Sequence, residues 1–213
     1  MKSFDNGESF MVCHIVGAGE CAAVPEKRRG DLLIAADGGL DALGAKGMLP
    51  DLLIGDFDSV QGDLPDGVET VRLPVEKDET DMEAAVRIGL ARGYRDFAFY
   101  GATGGRPDHT YGNYRLLISL VKRGMRGVIH GGDYSVSAVK DGSFVLPETA
   151  HGTVSLFAVD ERAEGVTLEG LYYPLQNASL DVDTTLGVSN HVVSHPASVT
   201  VKKGMLLLMW ENG

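Results

Sequence analysis

With 213 residues the chain is long enough to bury one large core or two smaller ones. Its 30 acidic against 19 basic side chains leave a formal net charge of -11, which argues against a nucleic-acid surface but leaves room for a nucleotide bound through a cation. Cys13 and Cys21 form no CxxC pair, no apolar run reaches the ~20 residues of a membrane span, and no signal-peptide pattern opens the chain, so reduced thiols, no membrane and a cytoplasmic location are expected.

Up to about residue 130, short apolar runs alternate with helical patterns, which predicts βαβ units and a largely parallel sheet. In chain order the candidate strands are Met11–Val16, Leu32–Ala36, Leu52–Ile54, Thr70–Leu73, Phe97–Tyr100 and Gly127–His130. A first helix carries Met82, Ala85, Val86, Gly89 and Leu90 at helical spacing, starts at the capping-box pair Thr80 and Glu83, and stops near Gly93. A second runs from about Thr110 to Arg123 with Leu116, Leu117, Leu120 and Val121 as its apolar stripe. From Tyr134 the pattern turns β-rich, with runs at Tyr134–Val139, Ser143–Leu146, Thr153–Val159, Val166–Glu169, Ser198–Val201 and Met205–Trp210. Turn signals at Gly131-Gly132-Asp133 and Asp141-Gly142 mark a junction. The fold class expected is therefore α/β plus all-β: an α/β domain over 1–138 and an antiparallel β-sandwich over 139–213.

The chemistry-bearing motifs sit where these runs end. Gly17-Ala18-Gly19-Glu20-Cys21-Ala22 satisfies the loose dinucleotide pattern G-x-G-x-x-[GA], with Asp37 twenty residues after Gly17. Pro25 falls where a crossover helix should continue, which favours a tight strand-to-loop turn instead. Asp37-Gly38-Gly39 reads either as an N-cap and turn or as a polar group at the carboxyl edge of the sheet, where open α/β folds place ligands.

Pro50-Asp51-Leu52-Leu53-Ile54 runs into Gly55-Asp56-Phe57-Asp58-Ser59. If the strand continues, Asp56 and Asp58 share one face about 7 Å apart, twice the rise of ~3.3 Å. Their repulsion is roughly 0.6 to 2.4 kcal/mol for effective dielectrics of 80 to 20, and a hard cation reverses its sign. Magnesium takes one or two carboxylates plus substrate phosphates, which this pair can supply; a solvated capping loop is the alternative. Asp81 follows the cap Thr80, where the helix dipole favours an acid in any case. Gly104-Gly105-Arg106-Pro107-Asp108-His109 joins a strand to a helix: its glycines and helix start suit an anion, Arg106 can grip phosphate, and Asp108 can hold that arginine, hold a metal, or act as N-cap.

Taken in order, Asp37-Gly38-Gly39, Gly55-Asp56-Phe57-Asp58-Ser59, Thr80-Asp81, Gly104-Gly105-Arg106 with Asp108-His109, and Asn113 resemble the thiamine pyrophosphokinase family. Gly152-Thr153-Val154-Ser155-Leu156, Gly170-Leu171-Tyr172-Tyr173-Pro174-Leu175 and Gly187-Val188-Ser189-Asn190 resemble that family's β domain. The resemblance implies a homodimeric enzyme that moves the terminal diphosphate of ATP to the hydroxyethyl group of thiamine and releases AMP. It assigns magnesium to Asp56, Asp58 and Asp81, and the nucleotide or diphosphate to Asp37, Gly38, Thr80, Gly105, Arg106, Asp108, His109 and Asn113. Thiamine falls to Ser189 and Asn190 at a subunit interface, and Asp81 or Asp108 is the candidate proton acceptor. Tyr173 stands where relatives often carry tryptophan, and Lys77 and Met82 are less typical neighbours of Thr80-Asp81. The rival readings are a diphosphokinase acting on another alcohol, such as a hydroxymethylpterin, and a dinucleotide-binding domain.

Overall fold

The computed structural model describes residues 11–20, 25–57, 65–74, 76 and 78–213. The chain is a mixed α/β protein with few helices, and it divides into two compact units.

The first unit comprises Phe10–Leu116 and Met125–Gly132. Its strands are β1 (Val12–Val16), β2 (Leu32–Ala36), β3 (Leu52–Gly55), β4 (Glu69–Arg72), β5 (Asp96–Tyr100) and β6 (Arg126–His130). All pair in parallel, in the order β6-β5-β1-β2-β3-β4. Near-continuous burial of β2, β3 and β5 is what a parallel sheet covered on both faces requires. Helix α1 (Gly39–Gly44) covers one face, with Leu43 packed among Val16, Leu33, Ala35, Leu53, Ala98 and Tyr100. Helix α2 (Asp81–Ala91) covers the other: a Cβ on Gly89 would sit 2.9 Å from Cys13 Sγ and 2.8 Å from the Phe97 ring. Alternation along each strand puts Cys13 and Phe97 opposite the α1 face. Helix α3 (Pro107–Lys122) starts in this unit, and its last turns are counted with the second.

Among the described residues, the second unit comprises Leu117–Gly124 and Asp133–Gly213. Its strands β7 (Tyr134–Val145), β8 (Ala150–Ala158), β9 (Arg162–Glu169), β10 (Ala178–Asp181), β11 (Asn190–His191) and β12 (Ser198–Asn212) pair antiparallel. β12 is the organising strand. It pairs with β7 along its length, with β9 mainly through its first half and with β8 through its second. The change of partner coincides with a register shift between Val201 and Met205, where Gly204 (φ 103) donates its N–H to Asp141 Oδ1 at 2.8 Å. Trp210 and Phe144 meet at 5.5 Å in the core.

Several sequence expectations change. Asp141-Gly142 and the Lys202-Lys203-Gly204 stretch are irregularities within β7 and β12, so four expected strands become two. Helix α3 begins at Pro107, three residues early, because proline is preorganised for the first helical position and needs no N–H there. Asp37 is not an N-cap. Gly38 takes that place with no side-chain cap, and Asp37 itself is left-handed at φ 49. Between β1 and β2 the described residues, 17–20 and 25–31, form no helix.

Candidate functional site

The strand order locates the site. The chain runs outward through β1, β2, β3 and β4, then returns through α2 to lay β5 on the other side of β1. The carboxyl ends of β1 and β5 thus form a topological switch point, where open α/β sheets bind ligands. A cleft of about 300 Å³ lies there, lined by Gly17, Gly19, Asp37, Asp81, Met82, Gly101, Gly105, Arg106, His109, Thr110 and Asn113 among others.

Its floor is two loops zipped together. Gly17 N–H donates to the Tyr100 carbonyl (2.8 Å), Gly19 N–H to Gly101 (2.8 Å) and Glu20 N–H to Thr103 (2.9 Å), which prolongs the β1–β5 ladder past both strands. Side chains are excluded: a Cβ on Gly19 would lie 2.4 Å from the Thr103 carbonyl, and one on Gly101 2.4 Å from the Gly17 carbonyl. Gly39 answers a similar demand, since its Cβ would fall 1.9 Å from the Val16 carbonyl where α1 presses on β1. The glycines of the fingerprint-like motif therefore serve close backbone approach at the cleft.

The carboxylates come from separate strand ends. Asp37 N–H donates to the Ile54 carbonyl at 2.8 Å, and a Cβ on Gly55 would meet the Asp37 Cα at 3.3 Å, so the β2 and β3 exits touch beside Asp56. Asp81 enters the same cleft from the first turn of α2. Strand alternation does not extend through the acid pair, because β3 ends at Gly55 and Phe57 is left-handed at φ 58. Asp58 lies outside the described residues. A left-handed aromatic is unusual, and Phe57 is held there by burial: it is 8% exposed within the α1-side core.

On the anion side, Gly104 and Gly105 are left-handed at φ 83 and 62, and α3 starts two residues after Gly105. Arg106 donates to Asp108 through Nε (3.2 Å) and Nη2 (2.6 Å), with both side chains exposed. That hydrogen-bonded pairing lowers the Asp108 carboxyl and raises the Arg106 guanidinium. Of the three roles open to Asp108, the structure shows the arginine partner, and the N-cap role fails because Asp108 is inside α3. Asn113, 9% exposed, donates Nδ2–H to the Ala102 carbonyl at 2.7 Å and ties α3 to the glycine turn. Thr80 Oγ1 accepts the Glu83 N–H at 3.2 Å, so its hydroxyl acts as the cap of α2. Gly38 is outside the cleft lining; a Cβ there would reach Ala18 at 2.9 Å. Met82 and Thr110 also line the cleft; neither was expected as a site residue, Met82 standing in the sequence as a member of the α2 stripe and as an untypical neighbour of Thr80-Asp81.

A second cavity, about 240 Å³, lies within the β-rich unit between Leu168, Tyr173, Leu175, Leu186, Val188 and Asn190. Asn190 is 3% exposed and mimics a peptide: Oδ1 accepts from Tyr173 N–H and His191 N–H at 2.9 Å each, and Nδ2 donates to the Tyr173 carbonyl at 2.8 Å. It shapes the cavity by fixing the Tyr172-Tyr173 segment. Ser189, left-handed at φ 58, donates its N–H to Ser155 Oγ at 3.1 Å and is not in the lining.

Among the described residues no three His, Cys, Asp or Glu side chains are gathered into a metal-binding group. A preformed cage is not what magnesium needs, since it commonly takes one or two carboxylates, waters and substrate phosphates. Hard oxygen donors at Asp37 and Asp81, which line the cleft together with the glycine turn, fit that requirement.

The model for the catalytic domain of thiamin pyrophosphokinase matches residues 26–129, and that for its vitamin B1 binding domain matches 144–206. The chain belongs to the thiamine pyrophosphokinase family. It is accordingly a diphosphotransferase, and the two matches disfavour both rival readings. Thiamine pyrophosphokinase of Bacillus subtilis is 27% identical over 184 residues, covering 84% of this chain and 86% of the relative. The crystal structure of a Bacillus subtilis thiamine pyrophosphokinase superposes with a TM-score of 0.84 at 25% identity, over 94% of this chain and 99% of that one. That of Geobacillus thermodenitrificans gives 0.82 at 28% identity, over 95% and 98%.

Proposed function

We propose that the protein transfers the terminal diphosphate of ATP to the hydroxyethyl oxygen of thiamine, yielding thiamine diphosphate and AMP. The observation that carries this is the placement of Asp37, Asp81 and the Gly-Gly-Arg turn in one cleft at the switch point, within the span of the catalytic-domain match. Magnesium, when bound, neutralises polyphosphate charge and makes phosphorus more electrophilic. Asp56, Asp58 and Asp81 are the residues that would hold it. The Gly101–Gly105 turn and the α3 start receive phosphate oxygens on backbone N–H groups. Arg106 and His109 border the same space, while Asn113 keeps the turn in shape. The hydroxyl proton goes to an acid of the cluster that is not tied to the metal: Asp108, once it has released Arg106, or Asp81 where the metal leaves it free.

The β-rich unit is read as a sandwich that binds thiamine and forms a homodimer. Supporting this are the vitamin B1 binding match, the cavity beside Tyr173, and the exposure of Tyr172 (62%), Leu186 (53%) and Val193 (58%) on that unit. A cytoplasmic location is part of this reading, since that is where ATP is at hand; no described helix is long and apolar enough to cross a membrane. Incubation with ATP, magnesium and thiamine, followed by chromatography, tests the reaction. Equal amounts of AMP and thiamine diphosphate are expected; ADP as sole product, or no thiamine diphosphate, overturns it.

A further inference from the structure

We propose that Arg72 is a positioning residue for the metal end of the site, acting through Phe57. The inference rests on the reading above that Asp56 holds magnesium. Arg72 is the last residue of the edge strand β4 and pairs in register with Gly55, the last residue of β3. The ladder continues one step further, with Leu73 N–H donating to the Gly55 carbonyl at 2.9 Å. The Arg72 guanidinium lies 5.4 Å from the centroid of the Phe57 ring, a cation–π geometry in which the planar, weakly hydrated arginine head is favoured over lysine.

The consequence follows from the backbone. Asp56 stands between Gly55, fixed by β4, and Phe57, which adopts a left-handed φ of 58 that a bulky residue rarely tolerates. Residues in such conformations persist only when their surroundings over-determine them. Here the core grips one side of the ring and Arg72 covers another, so the turn carrying Asp56 is clamped from both neighbours. Without the guanidinium, the ring keeps its apolar contacts but the turn gains alternatives, and the carboxylate is presented to a cation for less of the time.

The test uses the full chain, with Mn²⁺ as the metal probe in the absence of nucleotide. Arg72→Met keeps the aliphatic stem and removes the cation; Arg72→Lys restores charge with a weaker stack. Expected for Arg72→Met are at least fivefold weaker Mn²⁺ binding by electron paramagnetic resonance and faster amide exchange at residues 55–57. The expected Tm stays within a few degrees of wild type, kcat falls and KM for thiamine is unchanged. Arg72→Lys recovers part of each, and Arg72→Gln substitutes should the methionine variant fail to fold. Wild-type Mn²⁺ affinity in Arg72→Met overturns the proposal, whatever the exchange shows. Absence of Mn²⁺ binding by the wild-type protein would instead overturn the metal assignment itself, and this inference with it.

Discussion

Asp56 stands between Gly55, where the strand β3 ends, and the left-handed Phe57. Because its proposed work is electrostatic, Asp56→Asn should lower kcat roughly 100-fold or more while circular dichroism and unfolding midpoint stay at wild-type values. Normal turnover in the soluble variant would make the acid structural. Asn113 makes the opposite kind of contribution. Asn113→Ala leaves the Ala102 carbonyl in a buried setting without its donor, at a cost of about 1–3 kcal/mol, so denaturant titration should show lost stability and ATP KM should rise as the glycine turn loosens. Unchanged stability would mean the bond is dispensable. The place of Asp37 and of the Gly-Gly-Arg turn in the cleft was legible because a carboxylate or glycines directly after an apolar run are hard to explain otherwise. The Arg106–Asp108 pair was legible as one option of three, since both side chains are exposed and nothing local decides among them. Asn190 was read as a thiamine contact. Its three hydrogen bonds to backbone become visible only once Tyr173 is folded beside it, 17 residues away in sequence.

At the scale of elements, helix α2 is the clearest link between local sequence and the site. Thr80 caps it, and Asp81 at its first position reaches the cleft because the cap fixes where the helix begins. Thr80→Ala should cost about 1 kcal/mol, Thr80→Ser much less, and the alanine variant should lose kcat beyond what its thermal shift explains, since Asp81 would fray with the first turn. Full activity in Thr80→Ala at a temperature where it is folded would separate the cap from the site. The parallel strands of the first unit were legible almost to the residue; for β2, β3 and β5 this is because short, continuously buried apolar runs leave little choice. β7 and β12 were not, since turn residues at Asp141 and Gly204 mark a shared kink as well as they mark a loop, and only the Gly204–Asp141 bond between the two strands tells which. Helix α1, at six residues, is too short for periodicity to show, and β11 has two residues.

The stability of the whole molecule should depend on pH through histidines. On the α1 face of the parallel sheet, His14, Tyr100 and His130 form a row: Tyr100 stacks on His130 at 5.0 Å and lies 6.0 Å from His14. Burial lowers the His130 pKa to about 4, with a smaller push from His14. His14 is lowered too, burial outweighing the hydrogen bond its Nε2 makes with Asp31 at 3.3 Å. A group neutral when folded and free to protonate when unfolded favours the unfolded chain as protons are added. Its contribution is therefore intact above about pH 6.5 and is lost as pH falls from there towards 4. The net charge of -11 works against this, since protonation relieves self-repulsion. Ordinary carboxylates titrate mainly below pH 5, however, so the histidines dominate between 6.5 and 5. Below that, Asp31 adds to the loss: burial tends to raise it, but the Val12 and Arg28 N–H bonds and His14 prevail and lower it. Urea titration at several pH values should show stability falling by on the order of 1–3 kcal/mol from pH 7 to 5. His130→Phe, which keeps the stack on Tyr100 without a titrating nitrogen, should flatten much of that slope. An unaltered slope in His130→Phe would move the effect to His14, and a flat wild-type profile would remove it from both.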